Sequence, residues 1–136
     1  MRLPFHPKPG TILICDDGAG FIAPEMVKRR LVVSISPKLK RRDDLISVIP
    51  LSSTKPTSLE SWHRRVDVDA GPHWGAVPRW AKCDMVATVS FGRLTLPFSK
   101  NPQTGRRKYM QIELGDEIVA DLRQAVAAAL GIVIER

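Results

Sequence analysis

The sequence predicts a mainly β domain with a C-terminal helix, built as a small, strongly bent antiparallel sheet or partly open barrel. Short apolar stretches of alternating polarity recur over residues 11–114, separated by turns rich in glycine, proline and charge. A helical period of apolar residues comes only near the C-terminus. At 136 residues the chain can bury a substantial core without disulfides or metal, so we predict a single domain over residues 1–136.

Six stretches have the composition of strands, and turn-forming residues separate them. In chain order they cover residues 11–15, 28–36, 45–50, 62–68, 80–89 and 107–114. The cationic connection 37–44 is predicted to be the tip of a hairpin. Residues 96–105 hold two prolines and a glycine and are predicted to be a loop.

The second strand sets the direction of a basic side chain. Successive side chains of a strand alternate between faces, so Leu31, Val33 and Ile35 share one face while Arg30 points away from it. An edge strand with a solvated basic end is the alternative interpretation of this stretch.

The longest β-like stretch, residues 80–89, is predicted to be one continuous strand. The same alternation puts Lys82 and Asp84 together on its outward face, while Ala81 and Cys83 point inward.

The one clear helix is predicted over residues 116–130. Asp116 is its predicted N-cap, and Gly131 can end it. An apolar stripe predicts the face that packs on the sheet. The members of this stripe are Ile118, Leu122, Ala125, Val126, Ala129 and Leu130.

The charge balance is strongly basic. Twenty-one Lys and Arg outweigh fourteen Asp and Glu, and the net charge of +7 favours RNA, DNA or an acidic protein as partner. Cys15 and Cys83 lie too far apart for a C-x-x-C motif and are predicted to be buried free thiols in a reducing cytosol. No metal ion and no cofactor is predicted. Because the chain has no signal-peptide pattern and no bilayer-spanning apolar run, we predict a cytoplasmic protein without a membrane partner.

Polar side chains stand beside three predicted strands and converge on one groove if those strands are neighbours. Arg30 opens the second strand, Ser52 follows the third, and Lys82 with Asp84 lies in the fifth. An arginine fork suits a phosphate, and hydroxyl, ammonium and carboxylate groups suit proton transfer. Each has a plainer interpretation, because Ser52 can cap a turn and Lys82 and Asp84 can form a surface pair.

Several stretches occur in a recognisable order, and their residues are Asp16, Phe21, 24–26, Lys28, 30–36, 48–54, 80–89, Arg93 and Leu94. Taken together, these stretches resemble the PemK/MazF-type toxins of bacterial toxin-antitoxin modules. The resemblance extends from about residue 10 to the terminal helix. It rests on the ordered combination of these stretches rather than on any single motif.

The resemblance implies an SH3-like barrel with a C-terminal helix, assembled as a homodimer. It also implies a metal-independent, sequence-selective endoribonuclease that cleaves single-stranded RNA such as mRNA through attack of the ribose 2′-hydroxyl. A cognate antitoxin protein would hold this activity in check. In the family pattern the motif arginine falls on Arg30, the motif hydroxyl on Ser52 and a basic-Cys-Asp motif on residues 82–84, so the catalytic candidates are Arg30, Ser52, Lys82 and Asp84.

Two departures from the family pattern keep other functions open. Leu31 stands where the family usually has proline, and Pro24 stands where some relatives carry histidine. A degenerate toxin that keeps the fold but cleaves poorly is one alternative. Another is a non-catalytic nucleic-acid-binding or gyrase-poison-like module of the same fold.

Further basic and hydroxyl residues are candidates for holding RNA. They are Lys28, Lys38, Lys40, Arg41, Ser53 and Thr54, and the basic stretch 106–108 is a similar candidate. For the cations the alternative is a solvated surface that confers solubility. Trp62, Trp74 and Trp80 can stack on bases as in readers of single-stranded RNA, and the alternative for Trp80 is the core or a dimer interface.

Overall fold

The computed structural model describes residues 3–16, 22–23, 25 and 29–133. Within those ranges the chain forms nine β-strands and one α-helix. They are β1 (Ile12–Cys15), β2 (Arg30–Ser34), β3 (Leu45–Ser52), β4 (His63–Asp67), β5 (Pro78–Lys82), β6 (Ala87–Ser90), β7 (Leu94–Thr95), β8 (Phe98–Lys100), β9 (Arg107–Tyr109) and α1 (Asp116–Ala129). The predicted class, mainly β with antiparallel pairing and a C-terminal helix, is confirmed.

β3 is the central strand of the main sheet. Along one edge it pairs with β2, and along the other it pairs first with β6 and then, through Leu51 and Ser52, with β5. The full order is β4-β5-β3-β2-β1-β7, with β6 beside β3. Residues 37–44 join β2 to β3 as the predicted hairpin connection. All these pairings are antiparallel, so β2, β3 and β5 are neighbours, which the groove hypothesis required.

Two hydrophobic clusters cover the two faces of the central strands. The larger one includes Ile14, Leu31, Ile49, Leu122 and Ala125, so it is the cluster that α1 covers. The other, on the opposite face, is built from Leu13, Cys15, Val32, Ile46, Val48, Val89, Phe91 and Leu94. Because β2 is paired on both edges and residues 31–34 are buried, the edge-strand interpretation of this stretch is wrong.

The stretch 80–89 is two strands rather than one. β5 ends at Lys82, a 3-10 turn spans Cys83–Met85, and β6 begins at Ala87. The turn buries Cys83 in the cluster under α1, and Cys83 N–H donates to the carbonyl of Trp62 at 3.1 Å. Packing against the helix therefore overrides the β propensity of the sequence at this point.

A second small sheet replaces the loop predicted over residues 96–105. β8 and β9 pair as an antiparallel hairpin in the register Phe98–Tyr109 and Lys100–Arg107. The strand predicted over residues 107–114 is correspondingly short and ends at Tyr109. Asn101 organises the turn, since its side-chain oxygen accepts from the N–H groups of Gln103 and Thr104.

α1 has the predicted extent within one residue at its end, but Gly115 rather than Asp116 is its N-cap. Asp116 and Glu117 instead lie in the first turn, where negative charge suits the helix dipole. The buried residues are Val119, Leu122 and Ala125. Ile118 and Leu130, both predicted to pack, are 43% and 63% exposed.

No helix in the described part of the chain is both long and apolar enough to cross a membrane.

Gly10 ties the start of the sheet to the start of α1. Its N–H donates to the carbonyl of Ser34 at 2.7 Å and its carbonyl accepts from Leu114 N–H at 2.8 Å. Its φ is +96°, and a Cβ at this position would stand 2.8 Å from both the Leu114 carbonyl oxygen and a Val119 methyl. Both the conformation and the space therefore require glycine.

Gly10→Ala is expected to lower the free energy of unfolding by about 1 to 3 kcal/mol, because backbone strain and steric overlap add. The matched control is Gly105→Ala, which also has a positive φ, of +70°, but open space around a Cβ. Urea unfolding of both variants measures the difference. Equal losses would contradict a steric role for the contact at Gly10.

Cys15 and Cys83 are buried free thiols, as predicted. Burial raises the pKa of Cys15 to about 11 and that of Cys83 to about 12. The larger cause at both thiols is desolvation, which raises the pKa. The positive charge of Arg93 acts in the opposite direction on the pKa of Cys15, and that of Arg64 on the pKa of Cys83.

The raised thiol pKa values predict a loss of stability in alkaline solution. The folded protein keeps these protons above the ordinary thiol pKa, whereas the unfolded chain releases them. The free energy of unfolding is therefore expected to decline as the pH rises above about 9 toward the folded values. Urea unfolding at pH 8 and pH 10.5 measures the decline, and Cys15→Ala and Cys83→Ala should each make it shallower; a decline unchanged in both variants would contradict the assignment.

Candidate active site

A basic cleft of about 430 Å³ opens where β2, β3 and β5 lie side by side. Its lining consists of four cationic residues, three hydroxyl residues and three apolar residues. They are Arg29, Arg30, Arg79 and Lys82; Ser52, Ser53 and Thr54; and Leu31, Leu51 and Trp74. Among the described residues no carboxylate and no imidazole lines the cleft. The lining chemistry therefore suits an anion that also accepts hydrogen bonds from hydroxyl groups.

Arg30 is brought to the cleft by its position as the first residue of β2. It pairs with Cys15 of β1, and the next four residues are buried. The strand therefore anchors the backbone of Arg30 while its side chain is partly exposed at the cleft. No carboxylate among the residues that the structure describes forms an ion pair with it.

Ser52 is the last residue of β3, two residues later than the predicted end of that strand. It is 6% exposed. Its Oγ accepts from Thr54 N–H at 3.1 Å and donates to the Thr54 carbonyl at 3.4 Å. The serine thus makes the turn that the plainer interpretation proposed, and this turn presents exposed Ser53 and Thr54 at the cleft.

Lys82 and Asp84 do not share a strand face, which corrects the prediction from alternation. Lys82 ends β5 and lines the cleft. Asp84 lies in the 3-10 turn that packs on α1, is exposed, and is not among the lining residues. The physical reason is the turn itself, since a 3-10 conformation ends the two-residue period of a strand.

Arg79 is a cleft residue that the sequence analysis missed. It is 6% exposed, its Nη2 donates to the Trp74 carbonyl at 2.8 Å, and its guanidinium lies 5.8 Å from the Trp74 ring centroid. Its Nε has no hydrogen-bond partner in the described part of the chain, and burial lowers the pKa of Arg79. A signal was present, because Arg79 shares the inward register of Ala81, but the predicted strand began one residue too late to include it.

Arg79 has no carboxylate partner among the described residues, which sets it apart from Arg64 and Arg65. Arg64 pairs with Asp121 at 2.9 Å, and Arg65 pairs with Asp67 at 3.0 Å. Burying a guanidinium without a counter-charge is costly unless a ligand supplies the charge. The cleft therefore contains a cation poised for an anion.

The predicted RNA contacts on the β2–β3 connection lie apart from this cleft. Lys38, Lys40 and Arg41 are exposed on the β2–β3 connection, at the other end of β3 from Ser52. Eight residues of strand span about 25 Å. Lys28 lies outside the described residues, as does Pro24.

Neither His63 nor His73 lines the basic cleft. His63 Nδ1 accepts from Glu60 N–H at 3.1 Å and is absent from the cleft lining. His73 packs edge-on against Trp74, with ring centroids 5.2 Å apart, and lines a neighbouring cleft.

The fold and cleft define a small basic protein with an antiparallel sheet, a C-terminal helix and a cation-lined cleft. Comparison with known proteins identifies the family. The model of the PemK-like, MazF-like toxins of type II toxin-antitoxin systems matches residues 8–130. The chain belongs to this family, which confirms the resemblance drawn from the sequence.

Two relatives match along nearly their whole length. YifN of Escherichia coli K12 is 30% identical over 98% of this chain and 97% of its own. An uncharacterized protein of Haemophilus influenzae is 32% identical over 92% of this chain and 90% of its own.

Solved structures share the fold at low sequence identity. The Mycobacterium tuberculosis toxin MazF-mt6 superimposes with a TM-score of 0.57 at 19% identity, over 93% of this chain and all of its own. A mycobacterial endoribonuclease in complex with its cognate antitoxin gives 0.62 at 17% identity, over 96% of this chain and all of its own. MazF from Deinococcus radiodurans gives 0.58 at 14% identity, over 93% and 97% of the two chains.

Arg79→Met is expected to leave the free energy of unfolding in phosphate-free buffer unchanged or to raise it by up to about 2 kcal/mol, because it removes a buried charge without a counter-charge. It should also lose most of the stabilisation that inorganic phosphate gives the wild type. Urea unfolding with and without phosphate measures both effects.

The matched control is Arg123→Met, since Arg123 also binds a backbone carbonyl, that of Ile35, through two N–H groups, but lies outside the cleft. It should lose stability and keep the phosphate response. If Arg79→Met behaves like Arg123→Met, the interpretation of Arg79 as an anion-binding residue is wrong.

Proposed function

We propose that this protein is the toxin of a toxin-antitoxin module and acts as a metal-independent, sequence-selective endoribonuclease on single-stranded RNA. The observation that carries the proposal is the cleft lined by Arg29, Arg30, Arg79 and Lys82 with no carboxylate among its described residues. A phosphodiester backbone is the polyanion that such a cleft fits, and fixed cations can supply the charge stabilisation that a metal ion supplies elsewhere. Family membership and the structural likeness to an endoribonuclease support the same activity.

The reaction we propose uses the substrate's own nucleophile. The ribose 2′-oxygen forms a bond to the adjacent phosphorus and loses its proton, while the bond from phosphorus to the 5′-oxygen breaks and that oxygen gains a proton. The products are a 2′,3′-cyclic phosphate and a 5′-hydroxyl. Negative charge on the non-bridging oxygens grows in the transition state, so positioned cations accelerate the step.

Arg30 is the proposed phosphate clamp. Its forked guanidinium can donate to two non-bridging oxygens and stays protonated throughout. The position of Arg30 supports this role, since its backbone is held in β2 and its side chain lines the cleft without a carboxylate partner in the described part of the chain.

Lys82 and Ser52 are the proposed groups for proton transfer and hydrogen bonding. The ammonium of Lys82 can donate to the leaving 5′-oxygen. The Ser52 hydroxyl, now bonded to the Thr54 backbone, can turn toward a phosphate oxygen, while Ser53 and Thr54 contact the RNA backbone. Asp84 does not line the cleft of its own chain. We propose that the protein is a homodimer and that Asp84 acts as acid or base in the cleft of the other protomer.

The proposed partners follow from charge and family. An acidic antitoxin segment would compete with RNA for the same unpaired cations. A mycobacterial neighbour of the same fold was solved with its cognate antitoxin, which supports such a partner here. We propose that toxin and antitoxin meet in the cytoplasm, where the RNA substrate is found. We also propose that Lys38, Lys40 and Arg41 add phosphate contacts away from the cleft and that Lys28 is a further RNA contact.

One observation favours a second candidate, a nucleic-acid-binding module without catalysis. No carboxylate or imidazole among the described residues lines the cleft, so these residues offer no ordinary general base there. Incubation of a long single-stranded RNA with the protein in EDTA separates the two. Discrete fragments ending in cyclic phosphate support the enzyme, and intact RNA that stays bound supports the module.

Arg30→Ala is expected to lower the cleavage rate by about 10²- to 10³-fold, the usual effect of removing one positioned donor to a developing oxyanion. Single-turnover cleavage of an end-labelled RNA in EDTA measures the rate. Arg65→Ala is the matched control, because it removes the same charge from an exposed residue that pairs with Asp67 and does not line the cleft. Equal rates for Arg30→Ala and the wild type would remove Arg30 from the site.

A further inference from the structure

A second cleft, also of about 430 Å³, adjoins the basic cleft and shares Arg29 and Trp74 with it. The loop between β4 and β5 contributes His73 and Trp74, and the β8–β9 hairpin contributes Phe98, Ser99 and Arg107. Its size is within the range of small-molecule sites, roughly 300 to 1,000 Å³. Its aromatic content distinguishes it from the basic cleft, where Trp74 is the one aromatic residue among the described lining.

The aromatic groups of this second cleft are fixed by their contacts. The His73 and Trp74 rings meet edge to face at 83°, and the Arg79 guanidinium lies over the Trp74 ring. On the hairpin, the Arg107 guanidinium lies 4.2 Å from the Phe98 ring centroid, and Tyr109 packs on the same ring. Aromatic rings and an arginine plane stacked on a ring are the surfaces on which unpaired bases stack.

A third cleft continues the path. It holds about 370 Å³, shares Ile14, Arg29 and Arg107 with the second cleft, and is also lined by Asp16 and Arg93. Arg29 lines all three clefts. The three clefts therefore meet around Arg29, and the second one combines aromatic rings with the cations Arg29, Lys100 and Arg107, so a base and its flanking phosphates can be held side by side.

We propose that the second cleft is a nucleobase-binding subsite, in which a base next to the phosphate in the basic cleft stacks against Trp74 and the Phe98–Arg107 pair. The identification of the ligand as RNA rests on the proposed function. Ser99 and His73 offer hydrogen-bonding groups to the edge of the base, so this subsite contributes to sequence selection. The β8–β9 hairpin forms half of this subsite and therefore has a role in binding the substrate.

The test is a binding cycle with RNA that cannot react. Nine-nucleotide 2′-O-methyl oligoadenylate lacks the nucleophilic hydroxyl, and an abasic nine-unit strand with the same backbone lacks the bases. Trp74→Leu and Phe98→Leu are each expected to weaken binding of oligoadenylate by roughly tenfold, consistent with the loss of one base–aromatic stack. Phe98→Leu should bind the abasic strand within twofold of the wild type, as measured by fluorescence anisotropy. Trp74→Leu should also weaken binding of the abasic strand, but by less, because Trp74 lines the basic cleft and contacts Arg79 as well.

The matched control is Phe5→Leu, an exposed aromatic residue that lines a separate cleft near the β2–β3 connection. It should bind both strands like the wild type. If Trp74→Leu weakens binding of both strands alike because its loop is disturbed, the result for Phe98→Leu decides whether the subsite binds a base. The proposal is overturned if Phe98→Leu leaves oligoadenylate binding unchanged, if it weakens binding of the two strands equally, or if the wild type binds neither strand.

Cleavage of unmodified RNA, measured in parallel, separates this inference from the proposed function. If the wild type binds the base-containing strand more tightly than the abasic one, the variants lose this preference, and the wild type does not cleave RNA, then the endoribonuclease is refuted and the subsite is kept. If the wild type cleaves RNA and the variants keep the preference for the base-containing strand, then the enzyme is kept and the subsite is refuted.

Discussion

The pairing of β3 on both of its edges is the constraint on which the rest of the structure depends. β2 is hydrogen-bonded to one edge and β6 and β5 to the other, and side chains on both faces of the central strands are buried. A strand held in this way has no freedom to change register, because a shift by one residue would exchange its two faces. Arg30, Ser52 and Lys82 are brought together as a consequence, since each stands at an end of one of these three neighbouring strands.

Between β5 and β6 the chain leaves the extended conformation of a strand. A short 3-10 turn there brings Cys83 into the hydrophobic cluster beneath α1. The turn carries Asp84 out of register with Lys82, so two residues of the same three-residue motif end up in different surroundings. Local charge patterns on a strand are therefore reliable only as far as the strand itself continues.

Charge pairing separates structural cations from those available to a ligand. Arg64 and Arg65 each have a carboxylate partner, and Arg123 binds the Ile35 carbonyl twice. By contrast, Arg30 and Arg79 have no carboxylate partner among the described residues, although Arg79 is nearly buried. Desolvation without a counter-charge disfavours the free protein and favours binding of an anion, and that trade of stability for recognition is typical of functional sites.

Alternation and turn chemistry in the sequence were enough to predict the fold class, the strands at residues 11–15 and 45–50, and the extent of α1. Alternation placed Arg30, Ser52 and Lys82 in or beside predicted strands, and it was the family resemblance that made them catalytic candidates; the structure brings all three to one cleft. Only the tertiary structure decided that Arg79 is buried in the cleft, that Asp84 is outside it, and that β8 and β9 form a hairpin beside Trp74. The physical reason is range: a strand's faces follow from its own residues, whereas burial, charge pairing and shared clefts depend on which distant segments pack against them.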